Sequence, residues 1–181
     1  DNHVNLDSDV KISTDTKISV NNNKSDLNDR LNNVYNYITP VVFNKSTAQK
    51  SQGVKKDNDE EYYWEYIFEI RELKHGGQTL SATHIEVIDK FAYVSYNVQG
   101  DVHMGAVEIL DLTITGAPVV ISTAFFDDVD INALTVDRNS PDTAKKIWLA
   151  GSRNKDGAVV VEITSVNGVI SSTTKTASFE K

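Results

Sequence analysis

Cysteine is absent from this chain, which removes disulfides, thiol nucleophiles and thiolate-ligated zinc in one step and leaves the redox compartment open. Histidine is scarce, with four residues and no His-x-x-x-His spacing, and that argues against a zinc hydrolase. Nucleophile elbows around serine, phosphate-cradling glycine loops and dinucleotide fingerprints are missing too. No apolar stretch approaches the eighteen or so residues of a membrane span, and the longest, over 117–126, is strand-sized. Positive charge is outnumbered, 18 Lys and Arg against 26 Asp and Glu, for a net charge of −8. A general attraction to nucleic-acid phosphate is therefore excluded. The first residues, Asp1-Asn2-His3, lack an initiator Met, so the start reads as processed or engineered.

What is present is an internal repeat. The pattern x-Glu-Ile occurs as Phe68-Glu69-Ile70, Val107-Glu108-Ile109 and Val161-Glu162-Ile163, each followed by a turn and another apolar run. Alternation and β-branched content mark strands, and Gly, Pro, Asn and Asp mark the breaks between them. One unit then has strands over 84–88, 91–98, 106–112 and 119–126, and a second over 132–136, 146–150, 158–163 and 169–176. Ala92-Tyr93-Val94 matches Ile147-Trp148-Leu149, and the turn Gly116-Ala117-Pro118 matches Asn167-Gly168. Four short antiparallel strands recurring at about fifty residues are the pattern of a propeller blade, because one such sheet cannot bury its own apolar face.

The expected fold is therefore all-β, built from β-propeller blades of four antiparallel strands. A sandwich or open barrel would also hold this many strands, but neither needs to repeat. Full blades are expected at 84–126 and 131–176 and a partial blade at 61–82, with Tyr63 to Leu73 as its third strand, Gly76-Gly77 as the turn and 78–82 as its fourth. Propellers close with about 4 to 8 blades, so the ring is incomplete in this chain. The rest is expected from another segment or chain, and the final Lys181 is what a trypsin-like nick leaves. With 39% hydrophobic and 24% charged residues the composition is that of a folded domain rather than a disordered one.

Residues 1–60 differ in texture, holding eleven Asn and a single Gly. Short strands are hinted at within 9–20. Leu27, Leu31, Val34 and Ile38 recur at helical spacing, with Ser25 placed to cap. The competing reading makes 34–43 a strand interrupted by Pro40, and the polar run 46–61 reads as a loop.

Candidate chemistry concentrates in two loops. Asp128-Val129-Asp130-Ile131-Asn132 matches the opening of a calcium loop, but its sixth position is Ala133 and its twelfth Asn139, and Val129, Ile131 and Leu134 suit a strand entering a core. A less regular calcium site on this acidic loop remains open, and no other cofactor is expected. His103 lies close to Asp101 in sequence. His84 opens an inner strand, where a propeller channel would lie. His75 reads as a turn residue, and Trp64, Trp148 and Tyr93 as packing. In a propeller, the loops between second and third strands and those between successive blades emerge on one face. That face gathers Asp127, Asp128 and Asp130 with Tyr96, Asn97, Gln99, Asp101 and His103, joined by 153–156 of the next blade. The binding residues expected are Asp101, His103, Asp127, Asp128 and Asp130, and no catalytic residue is assigned.

Phe91-Ala92-Tyr93-Val94, then Gly105-Ala106-Val107-Glu108-Ile109-Leu110-Asp111-Leu112, then Ala117-Pro118-Val119-Val120-Ile121 resembles the repeat of LVIVD-type β-propellers. The likeness covers about residues 84–176. In the second unit Glu162-Ile163-Thr164-Ser165 lacks the Asp, and 138–145 lengthens the first loop. The resemblance implies a bacterial, extracytoplasmic protein, secreted or anchored at the cell surface as lipoproteins are. It also implies a noncatalytic binding or adhesion role toward a protein or glycan partner. The alternative is a propeller hydrolase or lyase acting on a carbohydrate or lactone with acidic or metal-assisted chemistry.

Overall fold

The computed structural model describes residues 10–14, 16–35, 70, 72–113 and 118–179. In chain order these form β1 (Val10–Ser13), β2 (Ile18–Asn21), α1 (Lys24–Tyr35), β3 (Leu73–His75), β4 (Gln78–Ile88), β5 (Phe91–Val98), β6 (Gly105–Asp111), β7 (Val119–Phe126), β8 (Val129–Val136), β9 (Lys145–Arg153), β10 (Gly157–Val166) and β11 (Val169–Phe179). The fold is all-β, with two antiparallel meanders, β4 to β7 and β8 to β11, lying where the two repeat units were expected. They are blades of a propeller whose ring is incomplete.

The blades stack with equivalent strands side by side at the spacing of the sequence repeat. The Leu134 amide donates to His84 Nδ1 and the Val136 amide to Glu86, each across 50 residues. Thr83 donates to the Ile131 carbonyl and the Ile170 amide donates to Ser122, each across 48. The bonds at Ile131, Leu134 and Val136 satisfy backbone groups of β8, the edge strand of its sheet, which otherwise presents an unpaired ladder.

Between the blades lies one apolar core. Phe91, Tyr93, Val107, Ile109 and Phe126 from the first meet Ile131, Leu149, Val161, Ile163 and Ile170 from the second. Strand alternation sends the intervening residues the other way. Ala92, Val94, Leu110 and Val120 form a second cluster with Leu27 of α1 and Leu73 of β3. Both described x-Glu-Ile motifs thus turn Val and Ile into the shared interface and Glu away from it. A plain rotation about a ring would point them the same way around, so the sequence match is one residue out of phase with the stacking.

Three expectations are corrected. Residues 78–82 are not the outer strand of an earlier blade. Gly76 and Gly77 adopt positive φ, 54° and 77°, a two-residue hairpin turn that returns the chain at once as β4. That strand then runs on through an irregularity between Ala82 and His84. The blades also carry more than four strands, because β2 adds to β7, β3 to β4 and β1 to β11, giving sheets of six and five strands. Asn23 rather than Ser25 caps α1, its side-chain oxygen accepting the Ser25 amide at 3.2 Å. The alternative strand at 34–43 meets the helix as far as Tyr35, and its remainder lies outside the described residues. So do 46–61, Trp64, residues 63–69 of the strand expected over 63–73, and Gly116 and Ala117 of the matched turn.

Candidate functional site at the loop end

Three connections meet at one end of the blades: the β5–β6 loop over 99–104, the bend at 127–128, and the β9–β10 turn over 154–156. Antiparallel register puts them there, since Asn97 pairs with Gly105, Gly105 with Phe126, and Val129 with Arg153. His103 lies beside Asp130, and Asp127 and Asp128 form the adjoining bend. Asp101 stays in the exposed bend ahead of them. Tyr96 does not join them: it is 5% exposed, and its hydroxyl donates to Glu108 at 2.8 Å on the other face of the sheet.

Each carboxylate of the acidic loop faces its own basic side chain. Asp127 Oδ1 lies 2.8 Å from His75 Nε2, and the His75 ring stacks on Phe125 with centroids 4.1 Å apart. Asp130 accepts the Met104 amide at 3.0 Å through one oxygen and faces His103 Nε2 at 3.7 Å through the other. Asp128 faces Arg153 Nε at 3.6 Å, and Arg153 also holds Asp156 at 2.8 Å and the Thr16 hydroxyl. Arg153 is 2% exposed. It therefore sets a buried positive charge beneath two partly exposed carboxylates and ties the segment between β1 and β2 to the end of β9. Asn132 accepts from Asn97 at 2.9 Å.

This arrangement revises the calcium reading. Asp130 and Asn132 lie within β8, an extended strand rather than a loop curled around an ion, and Val129 and Ile131 are fully buried. Among the described residues no group of three or more His, Asp or Glu side chains is placed to hold a metal. What the cluster does is lock the loops: a carboxylate paired with an imidazole or guanidinium is fixed in position. Asp127 remains 55% exposed at its side chain.

Comparison of the chain with protein-family models, curated proteins and solved structures found no match. The reading of this end therefore rests on its own geometry.

Several residues escaped the sequence. His75 looked like a turn residue because its partner lies 52 residues away. Arg153 looked like a loop charge, and Glu108 like one letter of a repeat. Glu108 is in fact 1% exposed, and Tyr96 and Thr123 donate to it at 2.8 Å and 3.0 Å. Its counterpart Glu162 accepts from Trp148 Nε1 at 3.2 Å and faces Lys175 at 3.6 Å. A Glu inside an otherwise apolar alternation was the available signal for both. His84 does not face a channel: its Nδ1 accepts from the Leu134 amide between the blades. Trp148 is only half-buried, on the face of its sheet opposite the interface. Tyr93 packs as expected at 1% exposure. Its phenol is pushed up to about 12 by burial, with the carboxylates of Asp142, Asp89 and Glu86 adding to the effect.

Proposed function

We propose that the chain is a noncatalytic, extracytoplasmic binding module that displays its loop end to a partner. The observation that carries this reading is the convergence of loops from both blades into one acidic surface, held rigid by His75, His103 and Arg153. Binding residues on loops need a scaffold that fixes them, and side chains tied in this way lose little further freedom when a partner docks. Asp101 and Asp127 are the exposed carboxylates of that surface, and they suit a protein partner carrying a basic patch. A glycan is served by the same residues through hydrogen bonds rather than charge. The location outside the cytoplasm follows from the LVIVD resemblance alone. Under the same reading, further blades from another segment or chain complete the ring.

Immobilised chain should retain a lysine-rich peptide at low salt and release it as salt rises, and the double variant Asp101→Asn/Asp127→Asn should weaken retention about tenfold. Calcium titration should give no binding heat. Retention unchanged in the double variant would move the partner surface elsewhere. Calcium heat that disappears in an Asp127, Asp128 and Asp130 to Asn variant would restore a cation site.

A further inference from the structure

The outer face of the second blade carries a continuous apolar row. Reading the register across the sheet, Ile12 of β1 pairs with Ala177, Ala177 with Val160, Val160 with Ala150, and Ala150 with Ala133. These five residues sit side by side on one face of five consecutive strands, and Ile12 is 75% exposed. On one side of the row runs Lys175, Glu162 and Trp148, and on the other Phe179, Ala158 and Ser152. The corresponding face of the first blade, with Ala92, Leu110 and Val120, is covered by Leu27 of α1. Nothing among the described residues covers this one.

We propose that the outer face of the second blade docks on the same face of a second copy of this chain, about a two-fold axis lying along the apolar row. Such a contact is isologous, so each row residue meets its own counterpart and flanking residues meet those on the opposite flank. Trp148 then lies over Ser152 and Glu162 over Ala158, large against small in both directions. The other in-plane axis, parallel to the strands, sets Glu162 against Glu162 and is disfavoured by like charge. Glu162 brings no unpaired charge into the contact, since Lys175 and Trp148 of its own chain already engage it. Five strands about 4.8 Å apart and roughly eight residues long offer a face on the order of 500 Å² per copy, the scale of a small specific interface.

This inference names the covering partner that the functional reading left as another segment or chain, and rests on that part of it. Loop-end binding is tested by the Asp101 and Asp127 variants, so the two fail separately. Sedimentation of the full chain should show a monomer–dimer equilibrium, with Trp148 fluorescence shifting to the blue as dimer forms. Each copy carries a net charge of −8, so screening should tighten the dimer several-fold between about 0.05 M and about 0.5 M salt. Ala150→Glu, at an exposed position, should give a monomer with an unchanged circular dichroism spectrum. Trp148→Ala, which introduces no charge, should weaken association at least tenfold. A wild-type chain that stays monomeric at about 100 μM, or a dimer indifferent to both substitutions, overturns the proposal. The first result means that the face is covered within the chain or binds a different partner, and the second means that the copies meet elsewhere.

Discussion

Removing the guanidinium of Arg153 takes the basic partner from two carboxylates at once. Asp128, Asp156 and Thr16 all take contacts from it, and it is 2% exposed, so Arg153→Ala should cost about 3 kcal/mol or more, measured by urea unfolding. Arg153→Lys should recover only part of this, because one ammonium cannot reach three directions in a plane. Tyr93 gives a second residue-scale expectation, set by the sign of its shift. Burial raises the phenol to about 12 in the folded chain, so the folded state holds its proton more tightly than the unfolded state. Its contribution to stability is complete below the ordinary value of about 10 and is lost as the pH climbs from there through 12. Thermal melts across that window should fall more steeply for wild type than for Tyr93→Phe. Asp111 shifts the other way, lowered chiefly by the Thr113 backbone amide that its carboxylate accepts. Burial in a strand can be read from alternation, and Tyr93 was read so. Two of the three partners of Arg153 lie 25 and 137 residues away along the chain, beyond the reach of any local pattern.

Turns at the element scale are where the sequence spoke most plainly. Gly76-Gly77 and Asn167-Gly168 were both read as two-residue breaks, and both pairs adopt positive φ between paired strands. Gly168 is doubly constrained: its φ is 81°, and an added Cβ would sit 2.3 Å from Ile121 Cδ1 and 2.9 Å from the Phe91 ring. Gly168→Ala should therefore destabilise by about 2 kcal/mol or more, read as a drop in melting temperature, where an unconstrained turn would lose under 1. Strand identity was equally legible from β-branched alternation. Strand destination was not. The stretch 78–82 has strand composition wherever it belongs, and only its pairing with β5, continued past the irregularity at 82–84, joins it to the first blade. Strands β1 and β2 were visible as short apolar alternations within 9–20, but four-residue strands with polar neighbours carry no information about which sheet will take them.

For the whole molecule, the fifty-residue period was the strongest clue, and it returns as the 48- and 50-residue offsets of the bonds between blades. The period fixes which strands stack. It does not fix which side of each strand faces the neighbour, because a shift of one residue keeps the match while reversing the faces. The loop end was legible for the same reason as the blades: once the meander is known, its connections must alternate between two ends. The internal pairing of those loops was not, since spaced carboxylates read alike whether they await a cation or already face an arginine.

The N-terminal segment joins both sheets, with Val10 paired to Phe179 and Ile18 to Phe126. Strands made early in synthesis thus wait for partners that leave the ribosome much later. Val10 in particular waits through 169 further residues, while β4 to β7 pair with one another through the short connections of the meander. The order of assembly is imposed by the thread rather than by strand strength: hairpins first, the seam along β11 last. Closure over so long a contour is slow, and until it happens the outer edges of β7 and β11 are open to strands from other nascent chains. A strand of four residues is thus both the last closure and the guard against mispairing, and the interval before it closes is when a growing chain most needs a chaperone.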